Sequence, residues 1–168
     1  MPGAQPSVQT SVTIVIEASL SNVFDTAAGM DPRELIRPYG PLPGIDGVEG
    51  HDAAWSAPGQ RRRYLLTDKS SVNEELTGFT RDHTYAYAVT GFTGPFSAIL
   101  REARAEWHFT KIGAGKSQID WTYFFTPTGP VAEPVLWFIV KMLWPGYLRA
   151  ALMRVKQKAE RAHENRDL

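Results

Sequence analysis

The stretch that decides the fold is residues 105–125, AEWHFTKIGAGKSQIDWTYFF. Gly113-Ala114-Gly115 sits at its middle and reads as a hairpin loop. Folding the chain about Ala114 sets Trp107 opposite Trp121 and Phe109 opposite Ile119. Side chains along a strand point alternately to the two faces of a sheet. Ala105, Trp107, Phe109, Ile119, Trp121, Tyr123 and Phe125 therefore share one face. Arg104, Glu106, His108, Gln118, Asp120 and Thr122 share the other. An apolar, aromatic face backed by a polar one is the pattern of an antiparallel sheet with one side on a core and the other in water.

Working outward, the same pattern repeats. Strands are predicted over 61–67, 71–79, 83–91, 99–111 and 117–126, with a weaker one over 47–55 that ends at Trp55. Pro58-Gly59, Asp68–Ser70 and Arg81-Asp82 read as turns, and Gly91–Pro95 as a longer connection. Consecutive strands with short turns form a meander. Folding about Lys69 sets Leu66 against Val72, Tyr64 against Glu74 and Arg62 against Leu76. Folding about Arg81-Asp82 sets Leu76 against Tyr87 and Gly78 against Tyr85. This second face carries Tyr64, Leu66, Val72, Leu76, Tyr85, Tyr87 and Val89, with two residues against type, Arg62 and Glu74. They are expected as diagonal neighbours with Tyr64 between them. They are either a structural ion pair or a polar handle at the end of a cavity.

Ahead of the meander, Val12, Ile14 and Ile16 alternate with Ser11, Thr13 and Glu17, which predicts a first strand over 11–17, with residues 1–10 flexible. Two short helices follow. Ser21 is read as the cap of the first. Asp31-Pro32-Arg33-Glu34 opens the second, with Asp31 as cap, Pro32 in the first turn and Glu34 completing a capping box. Pro38 stops that helix, and Tyr39–Gly44 is a loop. Behind the meander, residues 135–164 form a long helix, kinked or broken near Pro145. Beyond Pro145, Leu148, Ala151, Leu152, Val155, Ala159 and Ala162 recur at helical spacing and pack on the sheet. Before Pro145, Trp137, Phe138, Ile139, Val140, Met142, Leu143 and Trp144 point every way. One face of that segment is expected to close a cavity and the other, with Trp137, Phe138 and Trp144, to meet a partner surface.

Composition bounds the function. The chain has 168 residues, 43% hydrophobic, with 18 basic and 18 acidic side chains and no cysteine. One domain over 1–168 is expected. The charge balance argues against nucleic acid as a partner. The Arg61-Arg62-Arg63 run is no single basic patch, because alternation turns Arg62 away from its neighbours; a macromolecule-binding role through it ranks last. Lack of cysteine removes disulfides and thiolate metal sites. The first ten residues show no secretory signal, and a cytoplasmic location is expected. His51, His83, His108 and His163 are scattered and suggest neither a metal set nor a catalytic pair, so no metal or cofactor is expected.

The order strand, two short helices, six meandering strands, long helix resembles the START-like, birch-pollen-allergen-like helix-grip superfamily. More narrowly it is similar to the polyketide cyclase/dehydrase and lipid-transport (SRPBCC) family. The carrying segments are TIVIEASLSNVFD; GPLPG with VEGHDAAW; PGQRRRYLLTD with VNEELTGF; HTYAYAVTGFTGP; 105–125; and the final helix. The resemblance implies an α+β helix-grip fold, a curved seven-stranded antiparallel sheet wrapped around the C-terminal helix. It also implies a deep apolar pocket between them. Arg62 and Glu74 stand where this subgroup tends to have Arg and Glu. Trp107 and Trp121 match its aromatic sheet positions, and Asp68-Lys69 departs from its Asp-Gly turn.

The expected ligand site is Arg62, Tyr64, Glu74, Leu76, Tyr85, Tyr87, Trp107, Phe109, Trp121 and Tyr123 from the sheet, with Met142 and Tyr147 from the helix. The expected role is binding of a small hydrophobic molecule: a lipid, an isoprenoid or quinone, or an aromatic polyketide-like compound. The alternative is a cyclase or dehydratase in which Glu74 is the acid–base group, steadied by Arg62 and a tyrosine. Arg62 so close would favour ionised Glu74 and weaken it as a base. Ten apolar residues span about 15 Å, half a bilayer core, so 135–144 is not expected to span. Peripheral membrane contact and a homodimer interface are both left open for it.

Overall fold

A computed structural model describes residues 8–50 and 55–166. Seven strands form one antiparallel sheet: β1 (Val8–Ile16), β2 (Ile45–Glu49), β3 (Arg61–Leu66), β4 (Ser71–Thr80), β5 (Thr84–Thr90), β6 (Leu100–Gly113) and β7 (Lys116–Pro127). Their spatial order is β1-β7-β6-β5-β4-β3-β2, so β2 to β7 are a meander and β1 closes on its far edge. Helices α1 (Leu20–Gly29) and α2 (Pro32–Leu35) lie between β1 and β2, a 3-10 helix (Gly94–Ala98) joins β5 to β6, and α3 (Glu133–Met142) and α4 (Trp144–Glu164) end the chain. This is the α+β helix-grip architecture.

The faces fall as the alternation requires. Trp107 pairs with Trp121 and Phe109 with Ile119 across β6 and β7, and all seven residues of that inner face are buried. Helices fill one end of this face. Phe24 of α1 packs edge-on against Phe79 and Phe109, with ring centroids 5.3 and 4.8 Å away. On α4, Leu148, Ala151, Leu152, Val155 and Ala159 are buried, and the Asn22 side chain donates to the Ala159 carbonyl at 3.0 Å, locking α1 to α4.

Several local expectations are corrected. The β3–β4 register is shifted by two residues: Arg62 lies directly opposite Glu74, and Tyr64 opposite Val72. The turn centres on Asp68, whose carboxylate accepts from the Ser70 amide at 2.9 Å, and Lys69 takes the left-handed conformation at φ 71°. A shift of two preserves the face, so both charges still point inward. Across β4 and β5, Leu76 does pair with Tyr87, but a bulge follows, putting Gly78 opposite Ala86 and Phe79 opposite Tyr85. The β4–β5 connection spans three residues between Thr80 and Thr84 rather than two. The α1 cap is Ser19, which accepts from the Asn22 amide; Ser21 lies inside the helix and donates to Asp82 at 2.9 Å. Asp31 caps α2 by accepting from the Arg33 amide, whereas Glu34 pairs with Lys158 at 3.1 Å instead of closing a capping box.

The first strand begins at Val8, within the stretch expected to be flexible; residues 1–7 of that stretch lie outside the described residues. β2 is shorter than expected and ends at Glu49; residues 51–54, His51 included, also lie outside. The C-terminal helix breaks at Leu143, with Pro145 in the first turn of α4. Proline has no amide hydrogen for the preceding turn.

Candidate functional site

Where the helices leave the sheet uncovered, a cavity of about 130 Å³ remains. Its floor is the inner face of β3 to β7, and its other walls are α1, α2, the loop before β2, the 3-10 helix and the start of α4. Two kinds of surface meet in it.

The first is a charged pole. Arg62 Nη2 donates to Glu74 Oε1 at 3.1 Å, the two side chains being only 9% and 4% exposed. The same Nη2 lies 3.4 Å from the Tyr85 hydroxyl, which in turn accepts from the indole N–H of Trp55. The guanidinium sits over the Trp55 ring at 4.0 Å and the Tyr64 ring at 5.0 Å, contacts worth about 0.5–2 kcal/mol each. Arg62 Nε is buried with no hydrogen-bond partner. Burial is the strongest influence on Glu74 and pushes its carboxyl up; Arg62 and the Tyr64 hydroxyl pull the other way without cancelling it. Burial also opposes the Arg62 charge, but Glu74, followed by Tyr64 and Tyr85, outweighs it and holds the guanidinium up. Arg62 favours the ionised carboxylate, as expected, and burial, the larger influence, opposes it.

The second is an aromatic wall. Trp107 and Phe109 stack with centroids 6.1 Å apart. The Tyr87 and Tyr123 hydroxyls hydrogen-bond each other at 2.8 Å, and burial raises both phenols well above their usual range, as it does Tyr64 and Tyr85. Trp144 closes this side, edge-on to Tyr123 at 5.6 Å and to Phe125 at 4.9 Å. The indole N–H groups of Trp107 and Trp144 are buried without a well-formed hydrogen bond.

Of the residues expected from sequence, Arg62, Tyr64, Glu74, Tyr85, Tyr87, Trp107, Phe109, Tyr123 and Tyr147 border the cavity. Tyr147 turns its hydroxyl to the Pro43 carbonyl. Three do not border it. Leu76 and Trp121 are fully buried core residues, Trp121 lying behind Trp107 at 4.1 Å. Met142 is 63% exposed on the outside of α3. Trp144, expected on an outer surface, faces inward. Sequence reasoning also missed Met30, Leu35, Ile36, Phe92 and Phe96, which roof the cavity. The only signal for the last two was the apolar content of the Gly91–Pro95 connection and its flank. Among the described residues no three His, Asp or Glu side chains are grouped to hold a metal ion.

The fold and the apolar cavity define a helix-grip domain with a candidate site between sheet and helices. The sequence model of the polyketide cyclase / dehydrase and lipid transport family matches residues 7–160, and the chain belongs to that family. It is similar in structure to the protein XoxI from Bacillus cereus, with 17% identity, a TM-score of 0.64 and coverage of 90% of this chain and 94% of that one. It is also similar to ginseng major latex-like protein 151 from Panax ginseng (12% identity, TM-score 0.62, coverage 91% and 97%). Protein Ms6760 from Mycobacterium smegmatis is a third such structure (17% identity, TM-score 0.58, coverage 89% of each chain). No curated protein sequence matches the chain.

Proposed function

We propose that the protein binds one small hydrophobic molecule in this cavity, a lipid, an isoprenoid or quinone, or an aromatic polyketide-like compound. The observation that carries this is the pairing of an apolar, aromatic enclosure with a single buried charged pole, the usual make-up of a small-molecule site. The buried polar atoms on the lining without a well-formed hydrogen bond are all donors: Arg62 Nε and the indole N–H groups of Trp107 and Trp144. Because Glu74 already answers the Arg62 charge, a neutral ligand with carbonyl or ether oxygens suits the site better than a free acid. The cavity volume of about 130 Å³ is close to that of an apolar cavity known to take benzene.

Native mass spectrometry of gently purified protein, followed by a thermal-shift screen of lipids, quinones and aromatic polyketides, tests this. A co-purified neutral hydrophobic molecule, or a raised Tm that Trp107→Ala abolishes, is expected. No bound mass and no shift with any compound would overturn it. A second reading, catalysis of a cyclisation or dehydration with Glu74 as acid–base group, is favoured by one observation, the upward push on its carboxyl. A buried carboxylic acid tuned toward neutrality suits proton transfer, with Arg62 placed to steady an enolate or phenolate. Unchanged turnover of an identified substrate by Glu74→Gln would sink that reading alone.

A further inference from the structure

We infer that α3 docks the protein onto an anionic lipid surface. Val131, Val135, Trp137, Phe138 and Met142 are each more than half exposed. They leave an apolar surface on one helix and its approach, while Leu136 and Val140 bury the opposite side in the core. Large exposed apolar patches of this kind mark interaction sites.

The charge pattern says what covers it. From Pro134 to Ala159 the chain has no Asp or Glu; Lys156 and Lys158 pair with Glu160 and Glu34 and Arg154 donates to the Leu35 carbonyl, which leaves Lys141 and Arg149 as the basic side chains beside α3. Lys141 and Arg149, on either side of the α3–α4 break, are exposed. Trp and Phe on an apolar helix face, with Lys141 and Arg149 towards its C-terminal end and the single acid Glu133 in its first turn, match the interface of a bilayer bearing anionic headgroups. A second copy of the chain fits less well. A two-fold interface places the same patch on both sides, so Lys141 and Arg149 of each copy would have a single acid, Glu133 of the other, to answer them.

The docking is shallow. Residues Glu133–Glu164 are long and apolar enough to cross a membrane by length and composition, but the fold commits them elsewhere. The helix breaks at Leu143, and the buried face of α4 belongs to the core. Only the outer face of α3 is left for lipid. The first residue beyond the break, Trp144, is a wall of the cavity, so the lipid-facing helix and the site are joined through one residue.

Flotation of the full chain with vesicles of phosphatidylcholine alone, and with about 30% phosphatidylglycerol added, is the test. Binding is expected to the anionic vesicles, weakened by high salt and lost by at least about tenfold in Trp137→Ser/Phe138→Ser. Lys141→Glu/Arg149→Glu is expected to remove the preference for anionic lipid. Unchanged melting temperatures show that both variants fold. No flotation with either vesicle, or equal binding by wild type and Trp137→Ser/Phe138→Ser, overturns the inference. So does a wild-type dimer in light scattering that the same double variant makes monomeric, which would assign the face to a second copy.

Discussion

Arg62–Glu74 and Trp107–Trp121 are both cross-strand pairs on the inner face of one sheet, and both are almost completely buried. They differ in what burial does. For the tryptophans it is a source of stability. For the ion pair it is a cost, because two charges leave water and one donor, Arg62 Nε, finds no partner. A stable fold alone gives no reason to keep the second arrangement; the binding role proposed above supplies one. Depth of burial therefore does not identify the site, whereas burial against chemical preference does.

The largest effect should separate the pairs by removing packing. Trp121→Ala is expected to cost about 3–5 kcal/mol, the range for truncating a large core side chain. Urea denaturation would show it, and a loss below about 1 kcal/mol would mean the ring is not the packed core residue described above. Breaking the ion pair comes next. Glu74→Ala strands the guanidinium and should cost about 3 kcal/mol or more, while Arg62→Met/Glu74→Leu should return to within about 1 kcal/mol of wild type or exceed it. If the double variant is as unstable as the single one, the pair is structural after all and the contrast with the tryptophans fails.

A pH titration sharpens the same point. The Glu74 carboxyl has a higher folded than unfolded pKa, so in the window between those values the folded chain holds more protons. Stability contributed by this group is present at low pH and declines as pH rises from the ordinary carboxylate range through the folded value. Asp31, held low chiefly by its hydrogen bond from Arg33, gives the opposite slope at more acid pH. Denaturation midpoints across this range should fall less steeply in Glu74→Gln than in wild type; parallel curves would remove Glu74 as the cause. The smallest effect is at the wall: Tyr87→Phe loses the 2.8 Å bond to Tyr123 and should cost about 1 kcal/mol, with ligand-induced shifts retained. A loss of all ligand response would move the polar contact from the Arg62 pole to the tyrosine pair.

How much of this was readable in the chain follows from periodicity. A period of two survives an error of two, so the inner face, and with it Arg62 and Glu74, was legible although the register was wrong. Nothing in the alternation distinguishes Trp107 from Trp121 or Tyr87 from Leu76. Which of them borders a cavity depends on where α1 and α4 come down, as the Phe24–Phe109 contact shows. The roof was half legible for a different reason: the Asp31-Pro32 start signal gave α2, but α2 and the 3-10 helix have four and five residues, too few for a period that shows which side chains turn inward. Across α3 and the start of α4 the difficulty is reversed. A segment apolar on every side has no phase, so sequence could not tell that Trp144 turns inward while Met142 turns out.

The five tryptophans end up in different compartments. Trp121 is sealed in the core, Trp55 covers the guanidinium, Trp107 and Trp144 border the cavity, and Trp137 stands in solvent. The intrinsic fluorescence of the unlabelled protein is therefore a spatial record. A light-absorbing occupant would quench the two cavity indoles at contact range, and a change of surroundings outside α3 would shift the emission of Trp137. Single Trp→Phe replacements would assign each part of the spectrum, letting the inside and the outside of the molecule be watched in one cuvette.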